Sequence, residues 1–202
     1  ADKKMLKTRE GGAIKLTSLI DEAIDRAGAK VLEKNPDMPA EDRAVLARAI
    51  GIGAMKYADL SSDRIKDYVF DWDRMLSFDG NTGPYLQYAH ARICSIFRRA
   101  SIERASVRGI PIVVDAPQER ALALRLLAYP TAIDSTLDSY SPHKLCTYVY
   151  DLATDFTAFY EHCPVLKADE PVRSSRLALA DLTARTLAHS LGLLGIDAPE
   201  QM

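Results

Sequence analysis

Apolar residues recur every three or four positions along most of this chain, and that period constrains the fold more than any motif. Leu16, Leu19, Ile20, Ala23, Ile24, Ala27 and Val31 mark one face of a helix. Leu145, Tyr148, Val149, Leu152, Phe156, Phe159 and Tyr160 mark another, and Leu177, Ala180, Ala184, Leu187, Ala188 and Leu191 a third. Stripes of this kind, joined by short connections, are covered by packing helix on helix. Ala and Leu fill 51 of the 202 positions, while Pro and Gly supply 10 each. The fold class this predicts is all-α, a helical bundle.

Punctuation residues set the element boundaries. The first helix starts at Leu16, with Thr17 or Ser18 as its cap, and stops at Asn35-Pro36. A second starts after Pro39 and runs to about Leu60; Gly51 and Gly53 inside it imply close helix packing. Thr82 caps a third, with Pro84 in its first turn, expected to be the longest and to reach residue 107. Further helices are expected over about 117–128, 131–139, 142–162 and 171–192, with Gly192 and Gly195 as C-cap candidates. Tyr68-Val69-Phe70 carries the best strand signal, and 110–115 a weaker one inside a linker.

Several classes of chemistry lack their residues. No apolar run approaches the roughly 18 residues of a membrane span. Cys94, Cys146 and Cys163 form no CxxC pair and sit among apolar neighbours, as buried free thiols in a reducing compartment would. His90, His143, His162 and His189 are scattered, so no metal-ligand pattern arises, and the expected metal set is none. Asp71 and Asp73 flank Trp72 and cannot share a helix face, which makes a metal-dependent hydrolase a remote reading. Neither a nucleophile-elbow motif nor a phosphate-cradling glycine loop is present.

A binding role fits better. Net charge is −2, so no basic surplus advertises nucleic acid. Arginines nevertheless cluster at Arg92, Arg98, Arg99, Arg104 and Arg108, and again at Arg173, Arg176 and Arg185. Tyr140, Tyr148 and Tyr150 lie near His143 and Lys144. Guanidiniums grip phosphate and aromatic rings stack on unpaired bases, so this mixture suits RNA. A helical protein-interaction module without RNA binding is the alternative reading.

Specific segments carry a family resemblance. Thr82-Gly83-Pro84-Tyr85-Leu86-Gln87-Tyr88-Ala89-His90-Ala91-Arg92 resembles the opening of the anticodon-binding helical domain of class I arginyl-tRNA synthetases. Met55 to Ser61, followed by Phe70 to Asp73, is similar to the stretch before it. Leu6-Lys7-Thr8-Arg9-Glu10-Gly11-Gly12 is similar to that family's version of the Lys-Met-Ser-Lys-Ser loop, with Lys7 and Thr8 departing from the general pattern. Arg176-Leu177-Ala178-Leu179, then Leu191 to Ile196 and the terminal Met202, resembles its last helix and tail.

The resemblance implies three regions: a loop over 1–15, connecting helices over 16–80 that end the catalytic half, and an anticodon-binding bundle over 81–202. It implies that Lys7, Thr8 and Arg9 close on ATP, used with Mg in the complete enzyme. It implies tRNA contacts from Gln87, Arg92, Tyr148, Arg176 and Met202, with Tyr148 and Met202 lining one anticodon pocket. The implied partners are tRNA(Arg) and the N-terminal catalytic half, with neither DNA nor membrane, in the cytoplasm. The nucleotide-binding half with its His-Ile-Gly-His motif is expected ahead of Ala1, so the chain reads as cut from something longer. It is expected not to charge tRNA alone, because alignment of the reactants supplies much of the rate.

Overall fold

The computed structural model describes residues 15–66 and 69–202. The loop residues Lys7, Thr8 and Arg9, and Tyr68 of the expected strand, lie outside the described residues. Those described form eight α-helices and one 3-10 turn, with no strand. They are α1 (Leu16–Lys34), α2 (Ala40–Leu60), α3 (Trp72–Met75), α4 (Gly83–Ala100), α5 (Pro117–Leu127), α6 (Tyr129–Ser139), α7 (Pro142–His162) and α8 (Val172–Leu193).

Two apolar cores organise them. The smaller lies between α1 and α2 and holds Ala27, Val31, Leu46, Ile50, Ala54 and Leu76. The larger is shared by α4, α5, α7 and α8 and includes Ile93, Phe97, Leu122, Leu152, Phe156 and Leu187. Tyr57 reaches from α2 into the larger core and is 1% exposed. Its hydroxyl donates to Asn81 Oδ1 at 2.5 Å or to the Cys146 carbonyl at 3.1 Å, so one side chain ties α2 to the α4 entrance and to α7.

Both α2 glycines serve close approach. A Cβ on Gly51 would meet the Ala23 backbone of α1 at 2.8 Å, and one on Gly53 would meet Gln87 Nε2 of α4 at 2.8 Å. Gly83 answers Gly53 from the other side, where a Cβ would meet the Gly53 carbonyl at 2.7 Å.

Thr82 caps α4 as expected: its Oγ1 accepts from the Tyr85 N–H at 3.2 Å. Other expectations need correcting. Lys15, not Thr17 or Ser18, precedes α1, and no side chain caps it. Helix α4 ends at Ala100, short of residue 107, and is not the longest; Ser101 turns left-handed at φ 54°. The Ile102 N–H then returns to the Phe97 carbonyl at 3.0 Å, a Schellman-type closure. A 3-10 turn over Arg104–Val107 follows and buries Val107. Val69 and Phe70 take no regular structure. Residues 110–115 take no regular structure; Ser175 Oγ accepts from the Val113 N–H at 2.8 Å and fixes them to α8. Gly195, at φ 67°, supplies the left-handed turn after α8, while Gly192 stays inside the helix. All three cysteines are buried and free.

The tail after α8 is strapped across α4. Gln87 Nε2 donates to the Asp197 carbonyl at 2.8 Å, and His90 Nδ1 pairs with the Pro199 carbonyl at 3.0 Å. Arg98 Nη1 donates to the Glu200 carbonyl at 2.6 Å. The strap delivers Met202 to the edge of the smaller core.

Candidate nucleic-acid interface

On α4, one arc is not fully buried, although Tyr85 packs at the margin of the larger core. Tyr85, Tyr88, Arg92, Ser95 and Arg99 fall within about a quarter-turn of one another at 3.6 residues per turn. Tyr88 and Arg99 are exposed and the other three half-buried, whereas Leu86, Ala89, Ile93 and Ile96 are buried. Helix α7 lines one side of the arc. Tyr150 lies 5.8 Å from Tyr85, ring centre to ring centre. Arg92 sits over the Tyr160 ring, its guanidinium carbon 4.7 Å from the ring centre. No carboxylate pairs with Arg92 or Arg99 among the described residues. The arc is therefore a strip of rings and uncompensated guanidiniums.

At its N-terminal end the strip opens into a cavity of about 210 Å³ lined by Lys30, Lys34, Ile50, Phe78, Tyr88 and Met202, among others. Phe78 meets Tyr88 edge-on at 6.4 Å, and Lys34 Nζ lies 4.3 Å from the Phe78 ring centre. Lys30 Nζ donates to the Leu76 carbonyl at 3.0 Å. Apolar walls rimmed by ammonium groups suit a flat heterocycle with phosphate attached.

The residues singled out from sequence fall in several places. Arg92 is on the strip and Met202 lines the cavity beside Tyr88. Gln87 is fully buried, its amide donating to the Ala49 and Asp197 carbonyls, so it braces α2 and the tail. Tyr148 is 6% exposed and its hydroxyl donates to the Arg125 carbonyl at 3.0 Å. Its ring packs against Tyr129 at 5.4 Å, and burial pushes its phenol well above the ordinary range. Tyr148 therefore belongs to the larger core and Met202 to the rim of the smaller, and they share no pocket. Arg176 Nε donates to Glu119 Oε1 at 2.6 Å, and its Nη1 to the Pro164 carbonyl at 2.9 Å. That pair pins α8 to the start of α5.

Glu119 also accepts from the Asp115 and Ala116 N–H groups. Burial alone would push its carboxyl up; the N–H of Ala116 and the Arg176 guanidinium outweigh that and hold it below the ordinary carboxylate value. Tyr150 is one of the rings that the sequence groups with Tyr140 and Tyr148 as suited to RNA; Tyr85, Tyr88 and Tyr160 were not singled out as binding residues. Helical phase separates such pairs: Tyr148 and Tyr150 are two residues, about 200°, apart on α7, and only Tyr148 is fully buried while Tyr150 packs at the core's margin. Asp71, from the remote hydrolase reading, caps α3 by accepting from the Arg74 N–H at 3.1 Å.

An all-α bundle whose free helix face alternates rings with guanidiniums, beside a small apolar pocket rimmed by lysines, has the build of a single-stranded RNA-binding module. Comparison with known proteins makes this particular. Residues 86–202 match the DALR anticodon binding domain family, and residues 1–72 match the catalytic domain of class I (R) tRNA synthetases. The chain belongs to the DALR anticodon binding domain family. It is 57% identical over 203 residues to the arginine–tRNA ligase of Thermobifida fusca and 52% identical over 202 residues to that of Escherichia coli. All of the chain is covered in both cases, and it spans 35% of each relative's length. Among solved structures it is similar to Thermus thermophilus arginyl-tRNA synthetase, with a TM-score of 0.87 and 41% identity over 95% of the chain and 33% of that protein. The Plasmodium falciparum arginyl-tRNA synthetase gives a TM-score of 0.84 and 36% identity over 94% of the chain and 34% of that protein.

Proposed function

We propose that this chain is the anticodon-binding part of an arginine–tRNA ligase and that it holds the anticodon loop of tRNA(Arg) along α4. The observation that carries this is the strip of Tyr85, Tyr88, Arg92 and Arg99, backed by Tyr150 and Tyr160 and ending in the Met202 cavity. Arg92 and Arg99 take backbone phosphates; exposed Tyr88 stacks on a splayed base; the cavity takes the next one. Gln87, Tyr148 and Arg176 act beneath this surface by fixing the helices that present it.

In the complete enzyme, the reaction joins arginine to tRNA with ATP, releasing AMP and pyrophosphate. Lys7, Thr8 and Arg9 belong there to a loop that closes on ATP once the nucleotide-binding half is present. ATP is used with Mg in that half; the described residues contain no cluster of three His, Cys, Asp or Glu groups able to hold a metal. This chain alone does not charge tRNA. We assign the enzyme to the cytoplasm; no described helix is long and apolar enough to cross a membrane.

Two transcripts of tRNA(Arg), one native and one with its anticodon replaced, test the reading by fluorescence titration at low salt. The native transcript is expected to bind more tightly, and Tyr88→Ala to weaken it by about 1–3 kcal/mol. Equal affinity for the two transcripts, or no binding of either, would overturn it. The protein-docking alternative draws on Leu124, Leu127 and Leu137, which are 54%, 75% and 62% exposed on α5 and α6.

A further inference from the structure

A second cationic site lies beyond the C-terminal end of the strip, built around a buried carboxylate. Asp181 on α8 is 1% exposed. Its oxygens accept from Arg104 Nε at 3.0 Å and Arg185 Nε at 2.9 Å, and Arg108 Nε stands 3.7 Å away. Arg104 and Arg185 are thus hydrogen-bonded through the inner nitrogen, while Arg108 is held only by the looser 3.7 Å pairing. Among the described residues, the Nη atoms of Arg108 and Arg185 have no protein acceptor.

Next to this cluster is an open cavity of about 570 Å³ bounded by Cys94, Arg98, Glu103, Arg104, Arg108 and Glu200, among others. Within its lining, Arg104 Nη1 pairs with Glu200 Oε1 at 3.3 Å. Glu200 comes from the strapped tail, and its side chain is 69% exposed. Such a pair is held loosely, because water and salt compete for both partners. Arg98 is tied to the Glu200 carbonyl and not to its carboxylate.

We propose that this cavity is a phosphate-group site in which the Glu200 carboxylate is a resident anion that exchanges for the incoming phosphate. Arg104, preset by Asp181, and Arg108 supply the guanidinium donors, a geometry matched to tetrahedral oxyanions. An RNA backbone and a free small phosphate share this chemistry. The site does not depend on the aromatic strip or on the tRNA reading.

NMR titration of the 202-residue chain with inorganic phosphate tests it, reading the arginine Nε–Hε signals at constant ionic strength against acetate. Phosphate is expected to shift Arg104 and Arg108 saturably, and acetate, a carboxylate like Glu200 but with less charge than phosphate, far more weakly. Removing the internal competitor with Glu200→Gln should tighten phosphate by about 2- to 5-fold. Arg108→Ala, at an exposed position that leaves the Asp181–Arg104 pair intact, should weaken it at least about 10-fold with the melting temperature held. Equal responses to phosphate and acetate, or no change in E200Q, would sink the proposal. The source is read separately: if R108A lowers the salt slope of tRNA binding by about 1, the phosphate is RNA backbone. An unchanged slope with phosphate binding intact assigns the site to a free phosphate ligand.

Discussion

Two tyrosines on one helix show what the side chain alone can and cannot announce. Tyr148 and Tyr150 have the same chemistry and similar neighbours in sequence, yet Tyr148 is buried with its hydroxyl spent on Arg125, while Tyr150 is half-buried against Tyr85 on the proposed strip. Their difference is phase, and phase is fixed by where the larger core lies, which one helix cannot report. Arg176 and Gln87 mislead similarly: both are polar, and both are consumed by internal partners. Arg92 and Met202, by contrast, keep a face outside the cores: Arg92 lies against the Tyr160 ring and Met202 lines the cavity beside Tyr88. The roles separate by experiment. Tyr148→Phe should cost about 1 kcal/mol of stability by removing one buried hydrogen bond, and Tyr148→Ala about 3–5 kcal/mol by opening a cavity. Neither should alter the ratio of affinities for native and anticodon-swapped tRNA. Tyr88→Ala should do the reverse, leaving the melting temperature in place and lowering RNA affinity. A Tyr148→Ala protein that melts normally but loses discrimination would return Tyr148 to the interface.

At the scale of elements, most helix boundaries were legible because Pro, Asn and a capping Thr mark them locally. The end of α4 was not. Its apolar period continues to residue 107, but Ser101 takes a left-handed turn so that Arg104 and Arg108 can reach Asp181, a partner 77 residues away from Arg104. Nothing local encodes that distance. The close approach of α2 was half legible: glycines signalled it, but only the fold shows that Gly53 faces an immobile buried amide. Gly53→Ala should therefore destabilise by about 1–3 kcal/mol through overpacking against Gln87, whatever it gains in helix propensity. Denaturant midpoints give the measurement, and a stabilised variant would mean that Gln87 yields. The tail strap carries a pH dependence. Burial pushes the His90 pKa below its ordinary value, aided by nearby Arg104, while Nδ1 is engaged by Pro199. The unfolded histidine thus takes its proton first as pH falls through about 6.5. Stability is fully present above that pH and declines below it. His90→Gln, which can still donate to the Pro199 carbonyl, should show a smaller loss between pH 7.5 and 5.5 than the parent in urea titrations. Parallel losses would place the sensitivity elsewhere; Glu119, whose carboxyl is held below its ordinary value, acts only at lower pH and lies outside this window.

For the molecule as a whole, the question is whether two cores behave as one. The smaller core lies between α1 and α2, the larger among α4 to α8, and helix α4 is packed against both. Tyr57 is the fastening that crosses the boundary: its root is in α2, its ring in the larger core, and its hydroxyl is within reach of both Asn81 and Cys146. Coupling matters to the proposed function, because Tyr88 stands on α4 while Met202 and the lysines of its cavity belong to the smaller core's edge. A strip and a pocket that fluctuated independently would lose the alignment that lets one loop of RNA engage both. The single Trp72 packs on the smaller core and so reports it, whereas far-UV circular dichroism is dominated by the helices of the larger. In the parent chain the two signals should melt together, as a cooperative unit does. Tyr57→Phe keeps the packed ring and should cost about 1 kcal/mol with the transitions still coincident. Tyr57→Ala removes the fastening: Trp72 fluorescence should change at a lower temperature than the dichroism, and tRNA affinity should fall although no interface residue is altered. Coincident melting in that variant would show that the α4 contacts alone join the cores, and the loss of affinity should then vanish with it.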